Sequence, residues 1–322
     1  MLGFVVRRAA SAILVLFAIS VLVFVIFFAT PGVDPAARIA GRNADQATLA
    51  QVRHSFGLDR PLPVQYVLMM RHLFIDRDLE SFVNRGTKVI PQITQAAPVT
   101  FSLVLGAAVI WLGLGIAMGT FAAHRRGTAV DPIIMLLGLV GVSLPVYWLG
   151  EVVNLVTQSR WHDSIFQWVP PLGYVPLTED PVQWALHLIF PWLTLAVLFA
   201  GIYARLLRSE LIANLNEDYV RTARAKGISE RRILIRHALR CSLIPIVSLF
   251  GLDFGALVGG AALLTEVVFA LPGVGRLTFV SLQNIDLPVI LGTVMYAAFF
   301  VVLANALVDV AYARLDPRVR DA

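Results

Sequence analysis

Two places in this chain carry residues suited to chemistry: a charged segment at residues 216–232, and Asp253 inside an apolar run. The charged segment places Glu217 and Asp218 before a basic stretch, which favours a helix and offers ionic contacts to another protein. Catalysis is not expected, because the sequence has no HExxH, no GxSxG and no clustered His and Cys ligands. The single cysteine, Cys241, and six dispersed histidines likewise predict no disulfide and no metal site.

The charged segment has the pattern of a short helix, a glycine break and a second helix. Asn216 is a candidate N-cap for the first helix, and Gly227 suits the left-handed position that follows a helix. Ser229 can cap the second helix, with Glu230 in its first turn. The segment therefore predicts two short helices joined by a tight turn.

One face of the first predicted helix presents Tyr219, Ala223 and Gly227, each four residues from the next. Small side chains on that face leave a shallow profile that fits a groove on another protein. The flanking cations would meet an acidic rim; they are Arg221, Arg224 and Lys226. From composition alone, the alternative is an amphipathic helix held to anionic lipid by its arginines.

The composition sets the class of protein that must position these residues. Of 322 residues, 58% are hydrophobic and 15% are charged, against about 25% charged in soluble domains. A soluble globule of this length would leave much of that apolar surface in water. Disorder is also excluded, because disordered chains have a low hydrophobic content. The net charge of +5 is explained by basic loops of a membrane protein rather than by nucleic-acid binding.

Six runs are long enough and apolar enough to cross a bilayer as helices. They are residues 9–30, 89–123, 132–150, 182–204, 241–265 and 287–308. Asp131 is a candidate N-cap of the third run, and Pro98 is expected to open the main part of the second. Pro145 and Pro191 are expected to kink the third and fourth runs.

The basic residues orient these spans. With the N-terminus in the cytoplasm, 16 of the 26 Lys and Arg residues fall on the inner side, as the positive-inside rule requires. Six spans then place both termini in the cytoplasm. The predicted organisation is residues 1–30 as the first helix, 31–97 as an extracytoplasmic segment, 98–312 as a transmembrane core and 313–322 as a cytoplasmic tail. Residues 208–240, here called the coupling loop, face the cytoplasm within that core.

Small residues recur at helix-packing spacing in two of the runs. A glycine every four residues allows another helix to approach closely. The glycines at this spacing are Gly115 and Gly119 in the second run, and Gly251, Gly255 and Gly259 in the fifth. They are expected to pack helices together.

The string YVRTARAKG at residues 219–227, followed by Leu-Ile-Pro at 243–245, resembles the coupling loop of the dipeptide, oligopeptide and nickel permease family of ABC importers. Arg221 and Thr222 replace the acidic residue and the first alanine of the general pattern. The resemblance covers most of the chain and follows the order of the spans. Its other segments are FGLDRP at 56–61, AAHRRG at 122–127, GVSLP at 141–145, HLIFP at 187–191, EVVF at 266–269, PGVG at 272–275 and DPR at 316–318.

The resemblance implies an all-α, six-span permease of a type I ABC importer in the inner membrane, without enzymatic activity. It implies a related but distinct second permease, two cytoplasmic ATPase subunits and an extracytoplasmic substrate-binding protein. The chain has no GxxxxGK[ST] motif, so ATP and Mg²⁺ would bind the partner subunits and no cofactor would bind here. The implied ATPase-docking residues are Tyr219, Arg221, Thr222, Ala223, Arg224, Ala225, Lys226 and Gly227.

The expected cargo is a dipeptide or oligopeptide, with nickel chelates, glutathione or another small solute as the alternative. Asp253 is a candidate for the translocation path, where it would meet a peptide amino terminus; it is equally a candidate for pairing with the second permease. Residues 76–81 depart from the Gly-Asp-Leu-Gly-like stretch of the family. The resemblance therefore does not define what the outer surface of the protein contacts. A secondary transporter is the competing class, but it would need inverted repeats and several coupling carboxylates.

Overall fold

The computed structural model describes residues 2–28, 36, 45–55, 57–84, 86–159 and 162–315. Within these residues the chain is helical, and the one extended pairing is an isolated bridge between Glu80 and Lys88. The helical class predicted from the sequence is confirmed. The helices are α1 Leu2–Phe28, α2 Gln46–Ser55, α3 Leu62–Arg71, α4 Val89–His124, α5 Val130–Ser143, α6 Val146–Thr157, α7 Pro181–Leu215, α8 Asp218–Ala225, α9 Glu230–Arg232, α10 Leu239–Ala256, α11 Leu263–Val268, α12 Val274–Asn284 and α13 Leu287–Leu315.

Four helical runs among the described residues are long and apolar enough to cross a membrane: α4, α7, Glu230–Ala261 and Leu287–Val308. Helices α5 and α6 meet the same criterion together, although they are bent by 92° at the break between them. The described apolar part of α1, Ala10–Ile26, is shorter. The protein is therefore a multi-pass membrane protein, and its described residues contain four or five candidate spans by length and composition.

The third predicted run is broken rather than kinked. Helix α5 ends at Ser143, Leu144 is extended with φ −84° and ψ 127°, and α6 follows Pro145. A proline has no N–H and disfavours the helical conformation in the residue before it, so the helix stops at this point. Pro191, in contrast, lies inside the continuous helix α7.

Two helix boundaries differ from the sequence prediction. Pro98 lies inside α4, which begins at Val89, so the second span does not open at Pro98. The fifth run does not begin at Cys241, because α9, a π-helical turn, α10 and a second π-helical turn form one run over Glu230–Ala261. Gly260, with φ 112°, interrupts the helix after α10. The fifth span is therefore continuous with the coupling loop.

The main core lies where α4 packs on α7, around the fully buried Trp111. A Cβ atom on Gly115 would lie 2.7 Å from Cβ of Tyr203. One on Gly119 would lie 2.7 Å from the carbonyl oxygen of Ala204. Both glycines thus permit the close approach of α4 and α7.

The three glycines of α10 and the turn after it face α13. A Cβ atom on Gly251 or Gly255 would overlap α13 side chains, and one on Gly259 would lie 3.0 Å from a carbonyl oxygen of α13. The α13 residues that these glycines face are Val308, Ala304 and Ala297. This close packing attaches the fifth span to the last.

Candidate functional site

The first helix of the coupling loop, α8, starts without a side-chain cap. Asn216 instead terminates α7, and its Nδ2 atom donates to the carbonyl of Ile212 at 2.9 Å. The residue before α8 is Glu217, in an extended conformation, and Asp218 occupies the first turn. The predicted N-cap at Asn216 is therefore wrong. The prediction that Glu217 and Asp218 lie at the start of the helix is confirmed.

The end of α8 is fixed by Gly227. Its φ is +74°, its N–H donates to the carbonyl of Arg224 at 2.9 Å, and the N–H of Ile228 donates to the carbonyl of Ala223 at 3.2 Å. These two bonds form a Schellman turn, which requires a left-handed residue at the Gly227 position. Gly227 therefore sets the angle between α8 and α9.

The buried face of α8 is formed by Val220 and Ala223, which pack with Ile233 in a small apolar cluster. The prediction that Ala223 lies on the exposed face is wrong, because it is 8% exposed. On a helix of 3.6 residues per turn, four other residues form the face opposite Val220 and Ala223. These are Asp218, Arg221, Thr222 and Ala225, all exposed.

An ion pair holds α8 against α9. The guanidinium of Arg224 donates from Nε to Oε1 of Glu230 at 2.7 Å and from a terminal nitrogen to Oε2 at 3.3 Å. The same guanidinium lies 3.5 Å from the carbonyl of Leu215, at the end of α7. Ser229 precedes α9 but makes no side-chain capping bond. Arg224 therefore links three consecutive elements of the loop.

Hydrogen bonds connect the loop to the spans on either side. The hydroxyl of Tyr219 donates to Oδ1 of Asn214 at 3.4 Å, and Nδ2 of Asn214 donates to Oγ of Ser242 at 3.0 Å. Asn214 belongs to α7 and Ser242 to α10. Because the second half of the loop runs into α10 without a break, a rigid displacement of α8 can be transmitted to the fifth span.

A buried ion pair that the sequence analysis missed lies at the start of α5. Asp131 does not cap this helix, because Ala129 is the residue before it. Asp131 is 6% exposed and accepts two hydrogen bonds from the guanidinium of Arg208 in α7, one of them at 2.6 Å. The two residues are 77 positions apart, and sequence spacing gives no signal for this pairing.

Asp253 lies on the side of α10 that meets α7 and α4. Its Oδ2 atom accepts a hydrogen bond from the hydroxyl of Tyr203 at 2.8 Å. The ring of Tyr203 lies 6.3 Å from that of Trp111 between centroids and is tilted by 51°, and Phe250 lies 6.0 Å from the same indole. The partner of Asp253 in the described structure is thus a tyrosine of its own chain, and the second carboxylate oxygen is left for another contact.

Glu266 is fully buried and connects three helices. Its carboxylate accepts from the hydroxyl of Thr100 in α4 at 2.6 Å and from the N–H of Arg276 in α12 at 2.8 Å. The Thr100 hydroxyl also accepts from the N–H of Val274 at 2.9 Å. A carboxylate at a helix N-terminus is stabilised by the helix dipole. The EVVF and PGVG segments therefore form one structural unit.

Residues 76–81 contribute to an exposed cluster on the outer segment. The ring of His72 is 2.8 Å from Asp78, and that hydrogen bond holds the pKa of the Asp78 carboxyl below its usual range. Asp76 lies nearby and pairs with Arg71 at 3.0 Å. The sequence analysis did not foresee this grouping of one histidine and two carboxylates. We assign it no ion, because its two carboxylates are exposed and all three residues are already paired.

The outer segment is attached to the last span through Asp286. This carboxylate is 3% exposed, and it accepts from the Ser81 hydroxyl and from the N–H of Phe82, the latter at 3.0 Å. Asp286 precedes α13. The part of the predicted extracytoplasmic segment around Ser81 and Phe82 therefore packs against the start of α13.

Two protein-family models match the chain. One, the inner membrane component of binding-protein-dependent transport systems, matches residues 115–321. The other, the N-terminal part of the membrane component of the same systems, matches residues 1–104. Together they cover both the outer segment and the helices that carry the coupling loop.

Individual relatives align along nearly the whole chain. A peptide transport system permease protein of Brucella abortus is 38% identical over 320 residues, covering 99% of each chain. A glutathione transport system permease protein of Salmonella choleraesuis is 37% identical over 321 residues, again covering 99% of each. A D,D-dipeptide transport system permease protein of Escherichia coli is 34% identical over 334 residues, covering 97% of this chain and 96% of that protein. The chain therefore belongs to the family of inner membrane permease components of binding-protein-dependent ABC transport systems, whose members are transport subunits rather than enzymes.

Proposed function

We propose that this chain forms half of the translocation path of a peptide importer and that α8 docks on a cytoplasmic ATPase subunit. The observation that carries the proposal is the form of α8. It is a short helix, held to α9 by Arg224 and Glu230, and its outer face is exposed, with Arg221 paired to Asp218 at 3.1 Å. Such a helix can transmit a push to the fifth span, which a flexible linker could not do.

The proposed complex contains a related but distinct second permease, two ATPase subunits and an extracytoplasmic binding protein. Membership of the family implies ATPase and binding-protein partners in general. The proposed topology has six spans, in which α1 and the broken pair α5–α6 each cross once, with both termini in the cytoplasm. The excess of basic residues in the coupling loop supports this orientation.

The proposed cargo is peptide-class, because relatives of nearly full length are named as peptide and D,D-dipeptide permeases. A glutathione permease at 37% identity supports the second candidate, a modified tripeptide. We place Asp253 on the path because its carboxylate is half-buried between three spans and keeps one oxygen beyond its bond to Tyr203.

The docking proposal is tested at Ala225, which is exposed on the outer face of α8. Ala225→Trp adds bulk there without disturbing the buried cluster, and ATP-dependent uptake by the reconstituted transporter should be lost. Ala225→Ser is the matched control and should transport normally. Normal uptake by the tryptophan variant would exclude docking through this face. Identification of the ligand that copurifies with the binding protein of the same operon tests the cargo.

A further inference from the structure

The helical run that joins the coupling loop to the fifth span carries exposed cations. From Arg231 to Leu252 the sequence has four arginines and no acidic residue. The last two of them, Arg236 and Arg240, are exposed, and within the described chain neither forms an ion pair. Like charges about one helical turn apart repel each other. This pair of arginines therefore favours an anion between them, and the function proposed above does not use it.

The local helix geometry turns these cations outward. Arg236 lies in the π-helical turn Ile233–Ala238, in which Ile233 and Ala238 are buried. Ile235 in the same turn is 51% exposed. A π-helical turn holds about one residue more than an α-helical turn, and such turns are frequent at functional sites. The turn thus presents an isoleucine and an arginine side by side on the outer surface.

The depth of the two arginines in the bilayer follows from the length of the run. Residues 241–261 extend about 31 Å at 1.5 Å per residue, which matches a hydrocarbon core of about 30 Å. Arg240 then lies at the inner edge of the core, and Arg236 lies about 7 Å beyond it. The headgroup layer of each leaflet is about 5–8 Å thick. Both arginines are therefore at headgroup level, whereas Arg231 lies about 15 Å beyond the core, in the cytoplasm.

The surface next to the arginines favours a lipid over a protein partner. Val247 lies seven residues after Arg240, on the same face of α10, and is 44% exposed. The exposed face thus passes from cations to apolar side chains at the depth where headgroups give way to acyl chains. An acidic protein surface would match the cations alone, whereas a phospholipid matches both the cations and the apolar face.

We propose that Arg236 and Arg240 bind the phosphate of an anionic phospholipid in the cytoplasmic leaflet, with an acyl chain of that lipid along Val247. The inference rests on the membrane orientation proposed above. Guanidinium groups suit this ligand, because their N–H donors match phosphate oxygens in pairs. Since the same helical run continues from the coupling loop, a bound lipid fixes the depth of the segment that α8 displaces. ATP-dependent uptake therefore depends on anionic lipid.

The test is native mass spectrometry of the whole transporter, purified with phosphatidylglycerol and phosphatidylcholine of identical acyl chains. The wild type should retain phosphatidylglycerol in preference. Arg236→Gln and Arg240→Gln should each reduce that preference about fivefold, the value expected for loss of about 1 kcal/mol from one cation near anionic headgroups. Arg240→Lys should keep most of the preference, because lysine retains the charge.

Arg231→Gln is the matched control, because Arg231 is exposed on the same run but lies beyond the headgroup layer. An equal effect of this variant would show general surface attraction and overturn the proposal. Equal retention of both lipids by the wild type would also overturn it, as would displacement of the lipid by inorganic phosphate. A crosslink from Arg236→Cys to an ATPase subunit, in a Cys241→Ser background, would show that a protein covers the arginines instead.

ATP-dependent uptake is measured in vesicles of each lipid composition. Wild-type uptake that rises with phosphatidylglycerol, and rises less in Arg236→Gln, supports the site. Uptake that is independent of phosphatidylglycerol refutes the lipid site and leaves the proposed function intact. Absence of ATP-dependent uptake in every lipid refutes the proposed function instead.

Discussion

Gly227 offers a sharp test of how the coupling loop works. Its φ of +74° costs a residue with a side chain about 1–2 kcal/mol, which is a factor of about 5–30 in the equilibrium between formed and opened turn. No atom lies within 4 Å of a Cβ built on Gly227, so the first atom of a side chain there meets open space. Gly227→Ala and Gly227→Trp therefore share the same penalty for the left-handed backbone and differ in the bulk that each adds.

Uptake should consequently separate the two variants. We expect Gly227→Asn to transport nearly normally, because asparagine tolerates the left-handed conformation, and Gly227→Ala to lose part of its activity. Gly227→Trp should insert into the membrane normally yet abolish ATPase-coupled uptake, since its ring would obstruct the docked partner. The assay is ATP-dependent uptake into proteoliposomes, normalised to the amount of assembled protein. Equal activity of the alanine and tryptophan variants would refute docking at this turn.

Three further predictions, made with four variants, concern the membrane-embedded polar and small residues. Asp253→Asn should lower uptake at unchanged expression if the carboxylate lines the path. Tyr203→Phe leaves that carboxylate short of one hydrogen bond and should destabilise the protein by about 1–3 kcal/mol. Gly255→Leu should lower the melting temperature in detergent, because overpacking against α13 costs about 1–3 kcal/mol. Glu266→Gln keeps a partner for Thr100 but removes the charge at the start of α12, for a loss of about 0.3–1 kcal/mol of stability.

Each of these has a contrary outcome. Loss of assembly rather than of transport in Asp253→Asn would favour pairing with the second permease. An unchanged melting temperature in Gly255→Leu would mean that α10 and α13 can separate at no cost. A Glu266→Gln variant that melts above the wild type would show that the buried charge is a net liability.

The sequence predicted those features that depend on local chemistry. Apolar runs predict membrane-spanning helices because the core of a bilayer excludes charge, and three of the six runs lie within helices long enough to cross. These are residues 89–123, 182–204 and 287–308. The left-handed turn at Gly227 was predictable because few residues other than glycine tolerate it.

Features that depend on distant residues were not predictable. The buried face of α8 is set by Ile233, and spacing alone placed Ala223 on the wrong side. The bond between Arg208 and Asp131, and the convergence of Thr100 on Glu266, join residues far apart in the chain. The extent of the break at Pro145 likewise reflects how α6 packs, because Pro191 leaves α7 continuous.

The most direct test of the account labels α8 from each side of the membrane. Ala225→Cys in a Cys241→Ser background is treated with a membrane-impermeant maleimide in intact cells and in inverted vesicles. The account predicts labelling only in inverted vesicles, and protection when the ATPase subunits are bound. Labelling from outside, or labelling from inside that the bound ATPase does not reduce, would contradict it.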